Sequence, residues 1–262
     1  MNIAMCQMNS IWEDKPANYK RVEELLAQAP VAPGSLFVLP EMFATGFSLN
    51  LNVTVEAPEG PTFQFLSALA AKHKFYVFGS QNTPGSPASG KGRNEVIVFS
   101  PTGQLLTRYT KLQPFSGAGE SAKHESGLCT VQFEMEGWKV APFICYDLRF
   151  PEIFRNATRK GAELIVVIAA WPFPRDLHWT SLLQARAIEN LAYVVGVNRA
   201  GADPEFKYPG RSMVIHPQGN VLADAGAAEG IVQVDIDLAT VRAWREKFPP
   251  LRDIRPDFLP PL

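Results

Sequence analysis

The sequence predicts an α/β fold in which helices cover mixed β-sheets. Three observations lead there. Strand-like runs rich in Val, Ile and Phe alternate with helical patterns for most of the 262 residues, hairpins interrupt that alternation, and no internal repeat is visible. The Pro/Gly/Ser-rich stretch at 82–93 lies between strands of what reads as one fold, so it is expected to be an exposed loop and not a linker, with one domain over residues 1–262.

The elements follow in order. Asn2–Met8 reads as a strand. A helix runs through "KPANYKRVEELLAQA", with Asp14 as its cap and Val22, Leu25, Leu26 and Ala29 on one face. "SLFVLPE" is a short buried strand, Phe63–His73 a helix and "YVFGS" a strand. Two hairpins turn at Pro101–Gly103 and near Glu136–Gly137. A helix over Pro151–Lys160, the strand "ELIVVIAA", a long helix over Asp176–Asn190 and the strand "AYVVGV" come next. The hairpin "SMVIHPQGNVLADAG", the strand "GIVQVDID" and a helix capped by Asp237 close the chain.

Bulk properties exclude several classes of function. With 25 basic and 26 acidic residues the chain has a net charge of -1, which gives no footprint for nucleic acid or an anionic membrane. No apolar stretch approaches the roughly 18 residues of a membrane span. "MNIAMCQMNS" has no basic leader and reads directly as a strand, so a cytoplasmic protein is expected. Three widely spaced cysteines form neither a disulfide framework nor a metal clamp, and there is no HExxH; no metal or cofactor is expected.

The chemistry gathers at strand ends. Cys145 ends the apolar run "VAPFIC", Glu41 follows "SLFVLP" and Lys111 follows "QLLTRYT". Residues at strand ends are where sites collect in layered α/β folds. A helix starting near Pro151 would leave the Cys145 thiol by a helix N-terminus, whose N–H groups favour the thiolate. A carboxylate can take the thiol proton and return it to a leaving amine, and an ammonium can stabilise the oxyanion of a tetrahedral intermediate. The backbone N–H of Tyr146 would supply a second donor. Acyl transfer through a thioester then needs none of the four histidines, although His178 and His216 are the candidates if a Cys–His pair operates. Cys6 and Cys129 sit within strand-like runs and are expected to be inert core residues.

"LPEMFATGF", "RYTKLQPF" and "ICYDLRFPE", in that order, resemble the Glu, Lys and Cys segments of the nitrilase (carbon–nitrogen hydrolase) superfamily. The resemblance covers essentially the whole chain. It implies a four-layer αββα sandwich with two mixed sheets between helices, Cys145 as nucleophile, Glu41 as general base and Lys111 as oxyanion stabiliser. A second glutamate of the family matches Glu120 in "FSGAGESAKHESG", with Glu125 as competitor and Gly127 closing the segment. Asp147 and Arg149 are expected to hold the turn after the nucleophile, and Trp171 resembles a position that lines the pocket.

"CYDLRFPE", "WPFPRDLHW", "ARAIEN" and "REKFPPLRD" resemble the omega-amidase branch most closely. That implies hydrolysis of the side-chain amide of a 2-oxo acid such as 2-oxoglutaramate, giving the dicarboxylate and ammonia. An anionic substrate end calls for an arginine, with Arg149, Arg175, Arg199 and Arg211 as candidates. An N-carbamoyl amino acid hydrolase is the alternative within the superfamily. A binding protein that kept the fold without activity is the alternative from another class, opposed by the intact Glu41, Lys111 and Cys145. On the helix over Asp176–Asn190, Arg186 and Asn190 fall within the apolar stripe, with Glu189 at its edge. They form either an internal pair or, as the family implies, part of a homodimer contact.

Overall fold

Side chains of a strand point alternately to its two faces, and here that alternation sorts the apolar residues into two separate cores. The computed structural model describes residues 1–258. Its first sheet runs in the order β14 (Gly230–Asp235), β1 (Asn2–Gln7), β2 (Leu36–Val38), β3 (Tyr76–Pro84), β4 (Gly92–Phe99) and β5 (Leu105–Thr110). The second runs β13 (Val221–Asp224), β12 (Met213–Ile215), β9 (Tyr193–Asn198), β8 (Leu164–Ala169), β7 (Trp138–Ile144) and β6 (Phe133–Met135). β1, β2 and β3 are mutually parallel, as are β7, β8 and β9. The hairpin partners are antiparallel, so both sheets are mixed.

Ile3, Met5, Leu36, Val38, Phe78, Val96 and Val98 face the second sheet, where they meet Val140, Ile144, Val195 and their neighbours. The alternate residues Ala4, Cys6, Phe37, Val77, Ile97 and Phe99 face outward onto α1 (Lys15–Gln28) and α3 (Pro61–His73). α1 begins where expected, because Asp14 accepts a hydrogen bond from the Ala17 N–H at 3.0 Å. Its stripe of Val22, Leu25 and Leu26 is buried, at about 1.5–3 kcal/mol for each side chain. α5 (Pro151–Arg159) and α6 (Asp176–Asn190) cover the far face of the second sheet through Phe154, Ala157, Trp179 and Leu183. α7 (Leu238–Lys247) packs Val241 into the same core. The result is the four-layer αββα sandwich. The last four positions of the domain expected over 1–262 lie outside the described residues.

Some expectations change. The loop expected at 82–93 is shorter, 85–91: β3 continues to Pro84 and β4 begins at Gly92, because Gln81, Asn82 and Thr83 are buried against their β4 partners. Two helical turns, α2 (Leu51–Thr54) and α4 (Glu120–Lys123), and the ribbon β10 (Ala200–Ala202) with β11 (Lys207–Pro209) are too short to show periodicity. Cys129 is exposed and not in the core. The first strand of the hairpin that turns near Glu136–Gly137 begins only at Phe133, since the Gly127 N–H is drawn to the Lys111 carbonyl (2.8 Å) and the chain arrives from that loop. A β-carbon at Gly127 would lie 2.3 Å from the Thr110 carbonyl oxygen, so the approach requires glycine.

Candidate active site

The carboxyl ends of β2, β5, β7 and β8 open on the same region between the sheets, which brings together residues far apart in sequence. Lys111, directly after β5, is the centre. Its Nζ donates to Glu41 Oε1 at 2.8 Å and to Glu120 Oε2 at 2.8 Å, and all three side chains are fully buried. The second oxygen of Glu41 accepts the Ala170 N–H at 2.9 Å, which ties the loop after β2 to the end of β8 in the other sheet. Glu120 Oε2 also accepts the Phe115 N–H at 2.6 Å. Glu125, the competitor, instead pairs with Arg93 at 3.0 Å and bonds Ser86, away from the lysine.

Cys145 ends β7 with φ of +46°, a left-handed conformation that costs a residue with a β-carbon about 1–3 kcal/mol. Asp147 holds that turn as expected. It accepts the Ile144 N–H at 3.0 Å and, from the other sheet, the Tyr109 hydroxyl at 2.7 Å and the Gln113 N–H at 2.9 Å. Burial pushes this carboxyl up to about 7, against the pull of the Ile144 N–H, the Tyr109 hydroxyl, Lys111 and the Gln113 N–H. Tyr109 and Gln113 flank Lys111, so Asp147 fixes the nucleophile turn relative to the cation.

The electrostatics correct one expectation. The thiol is not held as a thiolate. Burial pushes Cys145 well above the ordinary cysteine value, the negative charge of Glu41 adds to this, and Lys111 pulls the other way without prevailing. Cys145 begins a 3-10 turn and not an α-helix, so no set of free helical N–H groups counters the burial. For Lys111, burial favours the neutral amine, but Glu120 and Glu41 outweigh it and hold the ammonium above its ordinary value. Burial likewise opposes the charge on Glu120, and Lys111 with Asn94 lowers it again. The resting site thus sets a neutral thiol beside the Lys111 ammonium and the Glu120 carboxylate. Alkylation of Cys145 by iodoacetamide is expected to show no inflection near pH 8.5, the value of a free thiol; mass-spectrometric rates over pH 6–10, with exposed Cys129 as internal reference, check this.

A narrow cavity opens over Cys145. Its walls are aromatic: Phe47, Phe115, Tyr146, Trp171, Phe206 and Tyr208. Asn198 fixes the Trp171 backbone from both sides, accepting its N–H at 2.7 Å and donating to its carbonyl at 3.0 Å. Two of the four candidate arginines line the cavity. Arg149 stacks 4.7 Å from Trp171, and Arg175 lies 5.7 Å from Phe115. Burial and the charge of Arg175 both lower the Arg149 pKa. Arg199 is consumed by Ser10, Ala202 and Asp203, and Arg211 by Asp224. The expectation that Arg149 supports the turn is therefore corrected. Arg186 does so instead, donating to the Leu148 carbonyl at 2.6 Å while pairing with Glu189 at 2.9 Å.

No histidine is hydrogen-bonded to Cys145 among the described residues. His178 Nδ1 meets Arg149 at 3.3 Å, and His216 packs on Tyr193. No group of side chains suited to a metal ion occurs among the described residues, and none of their helices is long and apolar enough to cross a membrane. Sequence reading missed Asn94, Phe47, Phe115, Phe206 and Tyr208. Only Asn94 carried a signal, as a polar residue opening the apolar run "NEVIVF".

A buried Glu–Lys–Glu cluster and a strand-end cysteine at the mouth of an αββα sandwich define a class, and the carbon–nitrogen hydrolase family model matches residues 2–246: the chain belongs to that family and is a cysteine-dependent amidase. It is 35% identical over 256 residues to a 2-oxoglutaramate amidase of Bacillus subtilis, covering 96% of this chain and 97% of the relative. It is also 35% identical to omega-amidase YafV of Escherichia coli, covering 97% and 96%. A solved CN-hydrolase superfamily protein from Xanthomonas campestris, with an arsenic adduct in its active site, superposes with a TM-score of 0.89 at 31% identity, covering 97% of each chain.

Proposed function

We propose that the protein is an omega-amidase that hydrolyses the terminal amide of a 2-oxo dicarboxylic acid monoamide, 2-oxoglutaramate or 2-oxosuccinamate. The observation that carries this reading is the pair of arginines, Arg149 and Arg175, in an aromatic cavity whose floor is Cys145. A narrow cavity walled by aromatic rings suits a small amide, and the guanidinium groups suit its carboxylate. The relative named a 2-oxoglutaramate amidase and the one named an omega-amidase support the same assignment.

In this mechanism Cys145 Sγ attacks the amide carbon as its proton passes to Glu41. Negative charge on the carbonyl oxygen is met by the Lys111 ammonium and the Tyr146 backbone N–H. Glu41 returns the proton to the nitrogen, the C–N bond breaks, and ammonia leaves a thioester on Cys145. Water, deprotonated by Glu41, then attacks the thioester and releases the acid and the thiol. Glu120 holds Lys111 in place, and Trp171 and Tyr146 shape the acyl pocket. The reaction uses no metal or cofactor.

Arg149→Met is expected to lower kcat/KM for 2-oxoglutaramate about a hundredfold, the loss of a charge-assisted contact of 2–3 kcal/mol. An aliphatic amide without a carboxylate should be hardly affected, and steady-state kinetics on both substrates checks this. The assignment itself is tested by mass spectrometry of acid-quenched enzyme with candidate amides. A 2-oxoglutaryl adduct on Cys145, ammonia release, and no carbon dioxide from carbamoyl amino acids are expected. Turnover of carbamoyl compounds in preference would move the protein to the other branch.

A cytoplasmic location and a homodimer belong to the same reading. Leu177 and Ile188 stand exposed on α6, and a solution mass near twice 28.9 kDa is expected. A monomeric mass would remove the dimer from it.

A further inference from the structure

Asn94 sits inside the charged cluster without carrying charge itself. It lies in β4 opposite Asn82 of β3 and is 1% exposed. Its Nδ2 donates to Glu41 Oε1 at 2.7 Å and to Glu120 Oε1 at 2.9 Å. Its backbone carbonyl accepts the Lys111 N–H at 2.9 Å. One residue therefore touches both carboxylates and fixes the backbone from which the ammonium extends. The cluster holds two negative side chains and one positive, so one carboxylate lacks a cation of its own. Two like charges sharing a site ordinarily compete for one proton, and hydrogen bonds to the charged form oppose this. An amide NH₂ is suited to that place: it offers two donors and brings no proton that titrates.

We infer that Asn94 is a positioning residue for the amidase reaction, keeping Glu41 and Glu120 both ionised around Lys111 so that Glu41 is free to take the Cys145 proton. The inference rests on the reading of Glu41 as general base. The titratable groups facing this point are Glu41 from the loop after β2, Lys111 after β5, Glu120 and His124 from α4 and its end, Cys145 and Asp147 after β7, and Tyr208 from β11. His124 is 1% exposed, and burial lowers its pKa, with Glu120 opposing and Lys111 adding to the effect. It faces the cluster as a neutral ring. Asn94 is thus the neutral donor that the two carboxylates share.

The test is the pH dependence of kcat/KM for Asn94→Asp and Asn94→Ala in the full-length enzyme. Asn94→Asp keeps the shape but adds a third carboxylate around one ammonium. Asn94→Ala removes both donors. Both are expected to lower kcat/KM at pH 7 about ten- to a hundredfold, the weight of hydrogen bonds to charged groups. Both should move the acid limb of the profile toward neutral pH, Asn94→Asp the further, with part of the activity recovered at higher pH. A residue that merely supports the fold would lower kcat or stability and leave the acid limb where it was, and that result overturns the inference. If Asn94→Asp does not fold, Asn94→Ala decides by the same criterion, and Asn94→Ser does so if neither folds. Glu41→Gln, assayed alongside, separates the two readings. Its survival would remove the base assignment, whereas its inactivity together with unshifted limbs in the Asn94 series removes only the role of Asn94.

Discussion

Glu41→Gln is expected to reduce kcat about 10²–10⁴-fold while the protein stays folded. The side chain keeps its size, and its remaining oxygen can still accept from Lys111 Nζ and Asn94 Nδ2, 2.8 and 2.7 Å from Glu41 Oε1 in the parent. Its new amide nitrogen would then face the Ala170 N–H, donor against donor, at a cost of about 1–3 kcal/mol. On the proposed mechanism, what disappears is the group that accepts the Cys145 proton. Because burial keeps that thiol neutral, the loss of the base acts directly on formation of the nucleophile. His216→Ala, with its ring packed on Tyr193, should retain nearly parental turnover. His178 touches Arg149, so its replacement should appear in KM more than in kcat. Steady-state kinetics on the three variants checks this. Inactivity of the His216 variant together with activity of Glu41→Gln would overturn the mechanism.

Lys111→Met is expected to abolish measurable turnover and also to destabilise the fold by about 3–5 kcal/mol. The methionine fills the space, but Glu41 and Glu120 would remain buried with no cation between them. One of them would have to take up a proton, and the oxyanion would lose its charged partner, itself about 3–4 kcal/mol in the transition state. The two consequences are separable. Adding Glu120→Gln to Lys111→Met removes one of the stranded charges and should recover part of the stability, with no recovery of turnover. Denaturant midpoints and activity assays on the single and double variants provide the check. Recovery of activity in the double variant would show that Lys111 acts through Glu120 alone.

These two effects concern residues that sequence reading had already singled out, and the reason is chemical. Glu41, Lys111 and Cys145 each stand immediately after an apolar run, where a charged or reactive side chain is conspicuous. The helices were legible for a related reason: Asp14 and Asp237 cap them, and their apolar stripes recur at 3.6 residues. The short elements α2, α4, β10 and β11 were not, because three or four residues hold no period. Cys129 misled because Val131 and Phe133 extend a strand-like run into what is a loop.

By itself the sequence determined the longer elements, the layered α/β class and the three strand-end residues, since these depend on local periodicity and on breaks in polarity along one segment. Tertiary structure alone decided what depends on distance between segments. Lys111 meets Glu120 and not Glu125, Arg149 and Arg175 share a cavity while Arg199 and Arg211 are consumed elsewhere, and Asn94 bridges two carboxylates 53 and 26 positions away. The state of the thiol belongs to the same group. Adjacent residues pointed to a helix terminus and a thiolate, but a thiol's charge is set by all that surrounds it, and here burial and Glu41 push the Cys145 thiol up.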